Sequence, residues 1–297
     1  MSPSIPKISI GVPVYNGEKF IAARLDSIIQ QTFENFEIIL SDNASTDSTE
    51  EICKKYIKSD KRIKYYRQNE NQGLFLNYKF VLENSIGEYF VIANVDDLWE
   101  KTFLEKNLHV LENNPNVVVS SGKIVRFGGI ENEFIEKNND TKLNLTYKKF
   151  RRTFRSLNIY PMNGDFYSKT RFCLRKYNFW IQFGLYRREK LQQSMFKKPF
   201  YGWDYALVIN TLRYGDVFVL DENLMKFYSK GASGSGVIEF LKQQNLSKFN
   251  LILPHFTFTN WCRKNLGTLF VVKNIDYFIR LNFLSIISVI QNISQKK

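Results

Sequence analysis

Four short polar clusters hold the side chains of this 297-residue chain that are best suited to chemistry. Each cluster directly follows an apolar run that is typical of a β-strand, and each is rich in amides, hydroxyls or carboxylates. The clusters are Pro13–Gly17, Ser41–Asp47, Asn69–Gly73 and Asn94–Asp97. One polar residue after a strand is ordinary, but four such clusters in succession predict a polar binding site.

The fourth cluster ends in two adjacent carboxylates, Asp96 and Asp97, with no lysine or arginine beside them in the sequence. Uncompensated carboxylates in a site are costly unless a cation joins them. Mg²⁺ and Mn²⁺ prefer oxygen ligands, and Mg²⁺ commonly takes one or two carboxylates together with substrate phosphates. The pair therefore indicates a site for a divalent cation. The alternative is structural, because Asp97 could simply cap the helix that follows.

The clusters must be positioned by strands that alternate with helices over the first 120 residues. Apolar runs predict five strands, and the helical periodicity between them predicts four helices. The predicted strands are 8–14, 36–41, 63–67, 89–93 and 117–125, and the predicted helices are 18–31, 47–58, 74–85 and 101–113. This alternation predicts an α/β fold with a mostly parallel sheet flanked by helices. Ligands of such sheets bind beyond the carboxyl ends of the strands, where the clusters lie.

In this order and spacing, the four clusters resemble the nucleotide-sugar-binding half of family 2 glycosyltransferases with the GT-A fold. The resemblance is strong over roughly residues 6–125 and weaker to about residue 235. The combination of motifs is specific, although no single motif is. The resemblance implies a Rossmann-like domain that binds a nucleoside-diphosphate sugar.

The resemblance also implies roles for individual residues. Asp42 would hydrogen-bond the nucleobase, most often uracil, and Asp96, assisted by Asp97, would bind Mg²⁺ or Mn²⁺ on the diphosphate. Asn94 stands where the family usually has the first carboxylate of an Asp-x-Asp motif, so it would contact the ribose without adding charge. The implied donor-binding residues are Pro13, Val14, Tyr15, Asn16, Asp42, Asn71, Gly73, Asn94, Asp96 and Lys230.

Asp204 is the candidate general base. Family 2 enzymes of the inverting type use an aspartate near a helix start to deprotonate the acceptor hydroxyl, and Asp204 precedes a helix predicted at 205–214. A helix N-cap is the alternative role, and both roles can coexist. Tyr201 and Trp203 are the predicted acceptor contacts. Most other aromatic side chains in 147–205 are expected to belong to the core.

The charge of the chain is uneven. Residues 1–120 carry 13 lysines and arginines against 17 acids, whereas residues 121–297 carry 29 against 12. The apolar content of 44% and charged content of 24% are those of a globular protein and exclude a disordered or polytopic membrane protein. Three scattered cysteines and two histidines disfavour a disulfide scaffold or a zinc module. We predict a donor half at 1–125, an acceptor half of the same domain at 126–235, and a helical extension at 236–297.

The extension contains an apolar stripe at helical spacing. Its members are Ile275, Ile279, Phe283, Ile286, Ile290 and Ile293, and the nearby basic residues are Arg263, Lys264, Lys273, Lys296 and Lys297. Such a helix is too short in apolar length to span a bilayer, but it could lie on an anionic membrane surface or pack on its own domain. Because no secretory signal is visible at the N-terminus, we expect a cytoplasmic protein, peripheral on the inner face of the cytoplasmic membrane.

These observations favour an inverting, metal-dependent glycosyltransferase. The expected donor is a nucleotide sugar, by resemblance a UDP-sugar, and the expected acceptor is a saccharide or a lipid-linked saccharide in surface-polysaccharide synthesis. One alternative is a sugar nucleotidyltransferase, although the Gly-rich basic loop typical of that class is missing after the first strand. Another is a catalytically degenerate nucleotide-sugar-binding protein. No nucleic-acid-binding motif is visible.

Overall fold

The computed structural model describes residues 5–128, 157–228 and 253–294. The strands are β1 Ile8–Val14, β2 Phe36–Asp42, β3 Ile63–Arg67, β4 Tyr89–Ile92, β5 Leu98–Trp99, β6 Val117–Phe127, β7 Leu185–Arg187 and β8 Asp216–Tyr228. The α-helices are α1 Ile21–Ile29, α2 Thr49–Ser59, α3 Leu74–Glu83, α4 Phe103–Asn113, α5 Phe166–Lys176, α6 Arg188–Ser194, α7 Trp203–Thr211, α8 Phe256–Leu266, α9 Thr268–Lys273 and α10 Ile275–Ser294. A short 3₁₀ helix spans Trp180–Phe183.

The strands form one sheet in the order β3-β2-β1-β4-β7-β6-β8-β5. Strands β3, β2, β1 and β4 are parallel neighbours, and β6 pairs in parallel with β8. Two strands run the other way, since β7 is antiparallel to β4 and β6, and β5 is antiparallel to β8. The predicted α/β fold with a mostly parallel sheet is confirmed.

The core is centred on the first two strands. Every residue of β1 and β2 is buried, as expected for parallel strands that are covered on both faces by crossover helices. Helix α1 packs Ile21, Leu25 and Ile28 toward this sheet with the spacing of one helical face. The chain therefore fixes the carboxyl ends of β1 and β2 in a rigid layer.

The alternative role of Asp97 as a helix cap is wrong. The residues after Asp97 form the short strand β5, and α4 begins only at Phe103 with Thr102 as its N-cap. Strand β5 pairs with the far end of β8, in the register Leu98 to Lys226. This long-range pairing overrides the local signal for a helix at residue 101.

Two further elements differ from the prediction. The apolar residues at 217–220 predict a short last strand, but this strand extends from Asp216 to Tyr228, because it pairs with β6 over most of its length. Helix α7 begins at Trp203, and its N-cap is Gly202 with a φ of 87°, so Asp204 lies in the first turn and is not the cap. The predicted division at 125/126 falls inside β6, and the division at 235/236 lies outside the described residues.

The C-terminal helices α8 to α10 pack on the domain by one face only. Phe258, Phe270 and Phe278 are buried, whereas Ile279 and Phe283 of the predicted stripe are exposed. The domain-packing alternative therefore holds for one face of α10, and Ile275, Ile279 and Phe283 of the predicted stripe lie on the other face. The side chains of Ile290 and Ile293 lie outside the part of α10 that the structure describes. Within the described segments, no helix is both long enough and apolar enough to cross a membrane.

Candidate functional site

The first two polar clusters meet at the carboxyl edge of the sheet. Val14 and Asp42 are register partners at the ends of β1 and β2. The backbone N–H of Asn43 donates to the carbonyl of Val14 at 2.8 Å, and the N–H of Asn16 donates to the Ser45 hydroxyl at 2.9 Å. Asn16 has a positive φ of 50°, so the chain turns sharply out of β1 at this point. Parallel pairing thus brings together clusters that are 30 residues apart in sequence.

Tyr15 and Asn16 are the exposed members of the first cluster. Pro13 and Val14 are buried within β1, whereas Tyr15 is 42% exposed. An exposed aromatic ring at the edge of a parallel sheet offers a stacking surface for a nucleobase. The nucleoside-pocket roles of Pro13, Val14, Tyr15 and Asn16 stay predictions.

Asp42 is buried, and its carboxylate accepts three hydrogen bonds from neighbouring residues. One carboxylate oxygen accepts from the backbone N–H of Ser45 at 2.8 Å. The other accepts from the Tyr65 hydroxyl at 2.9 Å and from the Arg67 guanidinium at 2.6 Å. A carboxylate oxygen can accept two bonds, so the Ser45-bonded oxygen retains one acceptor position. The predicted nucleobase contact of Asp42 would use that position.

The third cluster forms a turn that leads into α3. The Asn71 side-chain oxygen accepts from the side-chain amide of Asn43 at 2.8 Å and from the N–H of Gly73 at 2.9 Å. Gly73 has a φ of 84°, a conformation that costs glycine nothing, and it is the N-cap of α3. A hydrogen bond between Asn43 and Asn71 therefore links the second and third clusters, and the bond from Gly73 to the Asn71 oxygen stabilises the turn.

Asp97 is buried below the edge of the sheet, and both its oxygens have protein partners. One accepts from the N–H of Tyr228 at 3.2 Å, and the other from the Asn94 amide at 3.4 Å. Burial, and secondarily the charge of Asp96, raise the pKa of Asp97 to about 7. These bonds tie the fourth cluster to the end of β8. They favour a structural role for Asp97 and leave Asp96 as the better candidate for a metal ligand.

A buried arginine from a distant part of the chain compensates the charge of the two carboxylates. The local sequence gives no sign of this contact. Arg24 of α1 is fully buried, donates to the backbone carbonyl of Asp97 at 3.1 Å, and stacks on the Trp99 ring at 4.0 Å. Burial lowers the pKa of Arg24 to about 9, while the charges of Asp97 and Asp96 oppose this shift. The expectation that these acids lack a basic neighbour is wrong. The cation comes from a helix 73 residues earlier in the chain.

Replacing Arg24 by methionine is expected to destabilise the protein more at alkaline than at acid pH. Methionine keeps the packing on Trp99, but it removes the charge that favours ionised Asp97. The pKa of Asp97 is above that of an unfolded aspartate, so the folded state binds this proton more tightly. The free energy of unfolding therefore falls as the pH rises toward and through 7. Without Arg24 that loss should grow by about 1.4 kcal/mol for each further unit in the pKa of Asp97.

Urea unfolding at pH 5.5 and pH 8.5, in the presence of a chelator, measures this effect. Arg24→Lys is the matched control because it keeps a positive charge at the same position. An equal loss of stability at both pH values in Arg24→Met would show that the charge of Arg24 does not stabilise ionised Asp97.

Asp96 is the candidate ligand for a divalent cation in the fourth cluster. Asp96 is partly exposed at the edge of the sheet, next to the buried Asp97. The described part of the chain contains no cluster of three or more histidine, cysteine, aspartate or glutamate side chains suited to a metal. One carboxylate plus substrate phosphates is a common Mg²⁺ arrangement, so Asp96 fits a cation that binds together with the donor.

Asp204 lies in the first turn of α7, partly exposed, in a largely apolar environment. Burial raises the pKa of Asp204 to about 6, and hydrogen bonds to backbone N–H groups oppose this shift. A general base works best when its pKa is close to the working pH. Asp204 is therefore suited to accept a proton near neutral pH.

The two predicted acceptor contacts beside Asp204 differ in their surroundings. Trp203 is 4% exposed and packs edge-on against Phe75 and Tyr78 of α3, so it presents little surface to an acceptor. Tyr201 is partly exposed, and the centroid of its ring lies 4.7 Å from that of the His255 ring. The packing of Trp203 favours a core role, and Tyr201 is the better candidate for contact with an acceptor.

His255 joins this region from the C-terminal extension, a contact that no sequence signal indicated. The centroid of its ring lies 5.6 Å from that of Tyr205, and the two rings are stacked. His255 is 4% exposed, and its Nδ1 has no hydrogen-bond partner. Burial lowers the pKa of His255 to about 3, so the ring is neutral at physiological pH. The extension thus forms part of the wall around Asp204.

Lys230 lies outside the described residues. Tyr228, two positions earlier, bonds Asp97 through its backbone N–H and packs its ring at 5.2 Å from Phe20. The chain therefore reaches the fourth cluster immediately before Lys230.

Residues 9–191 match the sequence profile described as Glycosyl transferase family 2. The chain belongs to glycosyltransferase family 2. The matched range contains the four polar clusters, and it ends before Asp204. The predicted family and enzyme class of this glycosyltransferase are confirmed.

Curated proteins that are similar to this family 2 glycosyltransferase match it over its first part. GlyA of Streptococcus pneumoniae serotype 4 is 42% identical over 99 residues, which are 33% of this chain and 14% of GlyA. TuaG of Bacillus subtilis, named as a candidate glycosyltransferase of teichuronic acid biosynthesis, is 34% identical over 106 residues, 36% of this chain and 42% of TuaG. Of the similar curated proteins, the chain spans between 14% of GlyA and 47% of a Haemophilus influenzae glycosyltransferase.

Solved structures confirm the GT-A fold of the glycosyltransferase. S. aureus TarS 1-349 in complex with UDP-GlcNAc has a TM-score of 0.57 at 17% identity, over 93% of this chain and 81% of TarS 1-349. The mannosyltransferase PcManGT of Pyrobaculum calidifontis, in complex with GDP-Man and Mn²⁺, has a TM-score of 0.57 at 14% identity, over 99% of this chain and 75% of PcManGT. At these identities the likeness shows the fold alone.

Proposed function

We propose that this protein transfers a sugar, with inversion of configuration, from a nucleoside-diphosphate donor to a saccharide or lipid-linked acceptor. The observation that carries the proposal is the family 2 match over residues 9–191, which contains the polar clusters that meet at the carboxyl edge of the sheet. The position of Asp204 and the pKa of about 6 of its carboxyl group add a suitable base on the acceptor side.

In the proposed reaction, Asp204 takes the proton of the acceptor hydroxyl as its oxygen attacks the anomeric carbon. The bond from that carbon to the diphosphate oxygen breaks at the same time, so the nucleoside diphosphate leaves and the sugar is bound to the acceptor oxygen with inverted configuration. When bound at Asp96, Mg²⁺ or Mn²⁺ would supply positive charge to the nucleoside diphosphate that departs. Arg24 donates to the backbone carbonyl of Asp97 and so holds the residue next to Asp96 in place.

The proposed donor is a UDP-sugar. Tyr15 offers an exposed ring to the base, and Asp42 retains one acceptor position for a nucleobase N–H. The S. aureus TarS structure holds UDP-GlcNAc and the PcManGT structure holds GDP-Man with Mn²⁺, so this fold is found with both nucleotides. The donor-binding roles of Asn16, Asn71, Gly73, Asn94 and Lys230 belong to this proposal.

The proposed setting is surface-polysaccharide synthesis at the inner face of the cytoplasmic membrane. The name of TuaG refers to teichuronic acid biosynthesis, which supports a polysaccharide product. The excess of basic residues after residue 120 suits an anionic membrane surface. Family membership disfavours the nucleotidyltransferase alternative, and the non-catalytic alternative is an outcome of the following test.

A donor screen tests the proposed function without knowledge of the acceptor. Slow hydrolysis of one UDP-sugar in the presence of Mn²⁺ or Mg²⁺, abolished by a chelator, is the expected result. Hydrolysis of GDP-sugars in preference to UDP-sugars would contradict the proposed donor. Tight donor binding with no turnover, even with a mixture of candidate acceptors, would favour a binding protein.

A further inference from the structure

Five large apolar side chains lie exposed along the consecutive helices α9 and α10. This outer stripe consists of Leu269, Val272, Ile275, Ile279 and Phe283, whose exposed fractions range from 48% to 65%. They are spaced by three or four residues, as on one face of each helix. Single exposed apolar side chains are ordinary, but a contiguous set on one surface marks an interaction site.

The other faces of the same helices are firmly attached to the domain. Phe270, Tyr277, Phe278 and Leu281 are buried. Asn282 of α10 accepts a hydrogen bond from the backbone N–H of His255 at 3.1 Å. The outer stripe is therefore not exposed by a loosely attached helix. It is presented by helices whose inner faces are part of the core.

Basic side chains accompany the outer stripe. Arg263, Lys264, Lys273 and Arg280 are all exposed. Asp276 is the one acid in residues 253–294, and it lies 3.8 Å from Arg280. The surface therefore combines apolar side chains with a net positive charge, which is the pattern of a helix that lies in the interface of an anionic membrane.

We propose that the outer stripe docks on the surface of an anionic lipid bilayer. The apolar side chains enter the boundary between headgroups and acyl chains, and the basic side chains contact lipid phosphates. A helix that is too short in apolar length to span, with one face packed on a domain, suits this position. A protein partner would need acidic groups to match the same cations, and it is an outcome of the test.

Docking of the outer stripe would also bring the acceptor side of the protein to the membrane. This inference about the acceptor rests on the proposed function. Helix α10 carries the outer stripe on one face, while Ser285 of the same helix is hydrogen-bonded to Tyr201. His255, bonded to α10, stacks on Tyr205 next to Asp204. Helix α10 thus carries the docking surface and also contacts Tyr201 and His255 near Asp204. This arrangement suits an acceptor that is anchored in lipid.

Sedimentation of the full chain with vesicles tests the docking surface. Wild-type protein should sediment with vesicles of phosphatidylglycerol and phosphatidylcholine, and much less with phosphatidylcholine alone. The double variant Ile279→Asp, Phe283→Asp should lose this binding. Lys264→Ala with Lys273→Ala should weaken it about thirtyfold, since each basic side chain near an anionic surface contributes about fivefold.

Ile86→Asp is the matched control, because Ile86 is also about half exposed but lies outside the C-terminal helices. Its vesicle binding should equal that of wild type. Donor hydrolysis in solution should be unchanged in the vesicle-binding variants, so failure of docking is distinguishable from failure of the proposed function. Unchanged sedimentation of the double variant would overturn the proposal, as would a self-association in lipid-free buffer that this variant abolishes.

Discussion

Replacing Asp204 by asparagine is expected to reduce sugar transfer by about 10²–10⁴-fold, the usual contribution of a general base. Asparagine has nearly the shape of aspartate, so the fold and the donor site should be preserved. Donor affinity, measured by titration calorimetry, should therefore stay within about twofold of wild type, whereas kcat falls. A loss of donor affinity equal to the loss of kcat would contradict a role confined to proton transfer.

The pH dependence provides an independent test of Asp204. Because the pKa of Asp204 is raised to about 6 by burial, the base is ionised above that value and protonated below it. The kcat of the wild type should be constant above pH 7 and fall about tenfold per pH unit well below 6. The residual activity of Asp204→Asn should not show this fall.

Glu189→Gln is the matched control for Asp204→Asn. Glu189 is also an acid in the first turn of a helix, but its side chain is 72% exposed. Both substitutions remove a favourable interaction of a negative charge with the helix dipole. A similar loss of transfer in the two variants would assign the effect to helix stability, not to the removal of a base.

Replacing Asp96 by alanine is expected to abolish metal-dependent binding of the donor. If Asp96 holds the divalent cation on the diphosphate, its loss removes several kcal/mol of transition-state stabilisation, or about 10³-fold in rate. Nucleotide affinity in Mn²⁺ should fall at least tenfold, while affinity in the presence of a chelator should not change. Calorimetric titrations with and without Mn²⁺ measure both values.

Asn94→Asp is the matched variant in the opposite direction. It restores the carboxylate that the family usually has at this position, and it places a third negative charge near Asp96 and Asp97. We expect tighter Mn²⁺ binding in the presence of donor. If Mn²⁺ raises the nucleotide affinity of Asp96→Ala as much as that of the wild type, Asp96 is not a metal ligand. This conclusion would hold whether or not Asn94→Asp binds Mn²⁺ more tightly.

The sequence was sufficient to predict the donor half of the fold because its signals are local. Strands β1, β2 and β4 are continuous apolar runs, and the polar residues that follow them become neighbours through parallel pairing. Asp97 shows the limit of local signals. A capping aspartate and one that precedes a strand have the same sequence pattern, and the pairing of β5 with β8 decides between them.

The parts that the sequence did not predict depend on contacts between distant residues. Arg24 compensates Asp97 from a helix 73 residues away, and His255 reaches Tyr205 from the extension. The sequence predicts Trp203 as an acceptor contact because it is next to Asp204, yet successive residues of a helix point in different directions and its ring enters the core. The sequence predicts the stripe of α10 as one helical face, and only tertiary packing shows that Ile275, Ile279 and Phe283 lie on the outer face.

Phosphorus NMR of the products that form from a hydrolysed donor tests the central claim most directly. The wild-type protein, incubated with its donor and Mn²⁺, should release a nucleoside diphosphate whose α- and β-phosphates remain linked. The Asp96→Ala protein should release none. Pyrophosphate or a nucleoside monophosphate as the product would contradict transfer from the anomeric carbon.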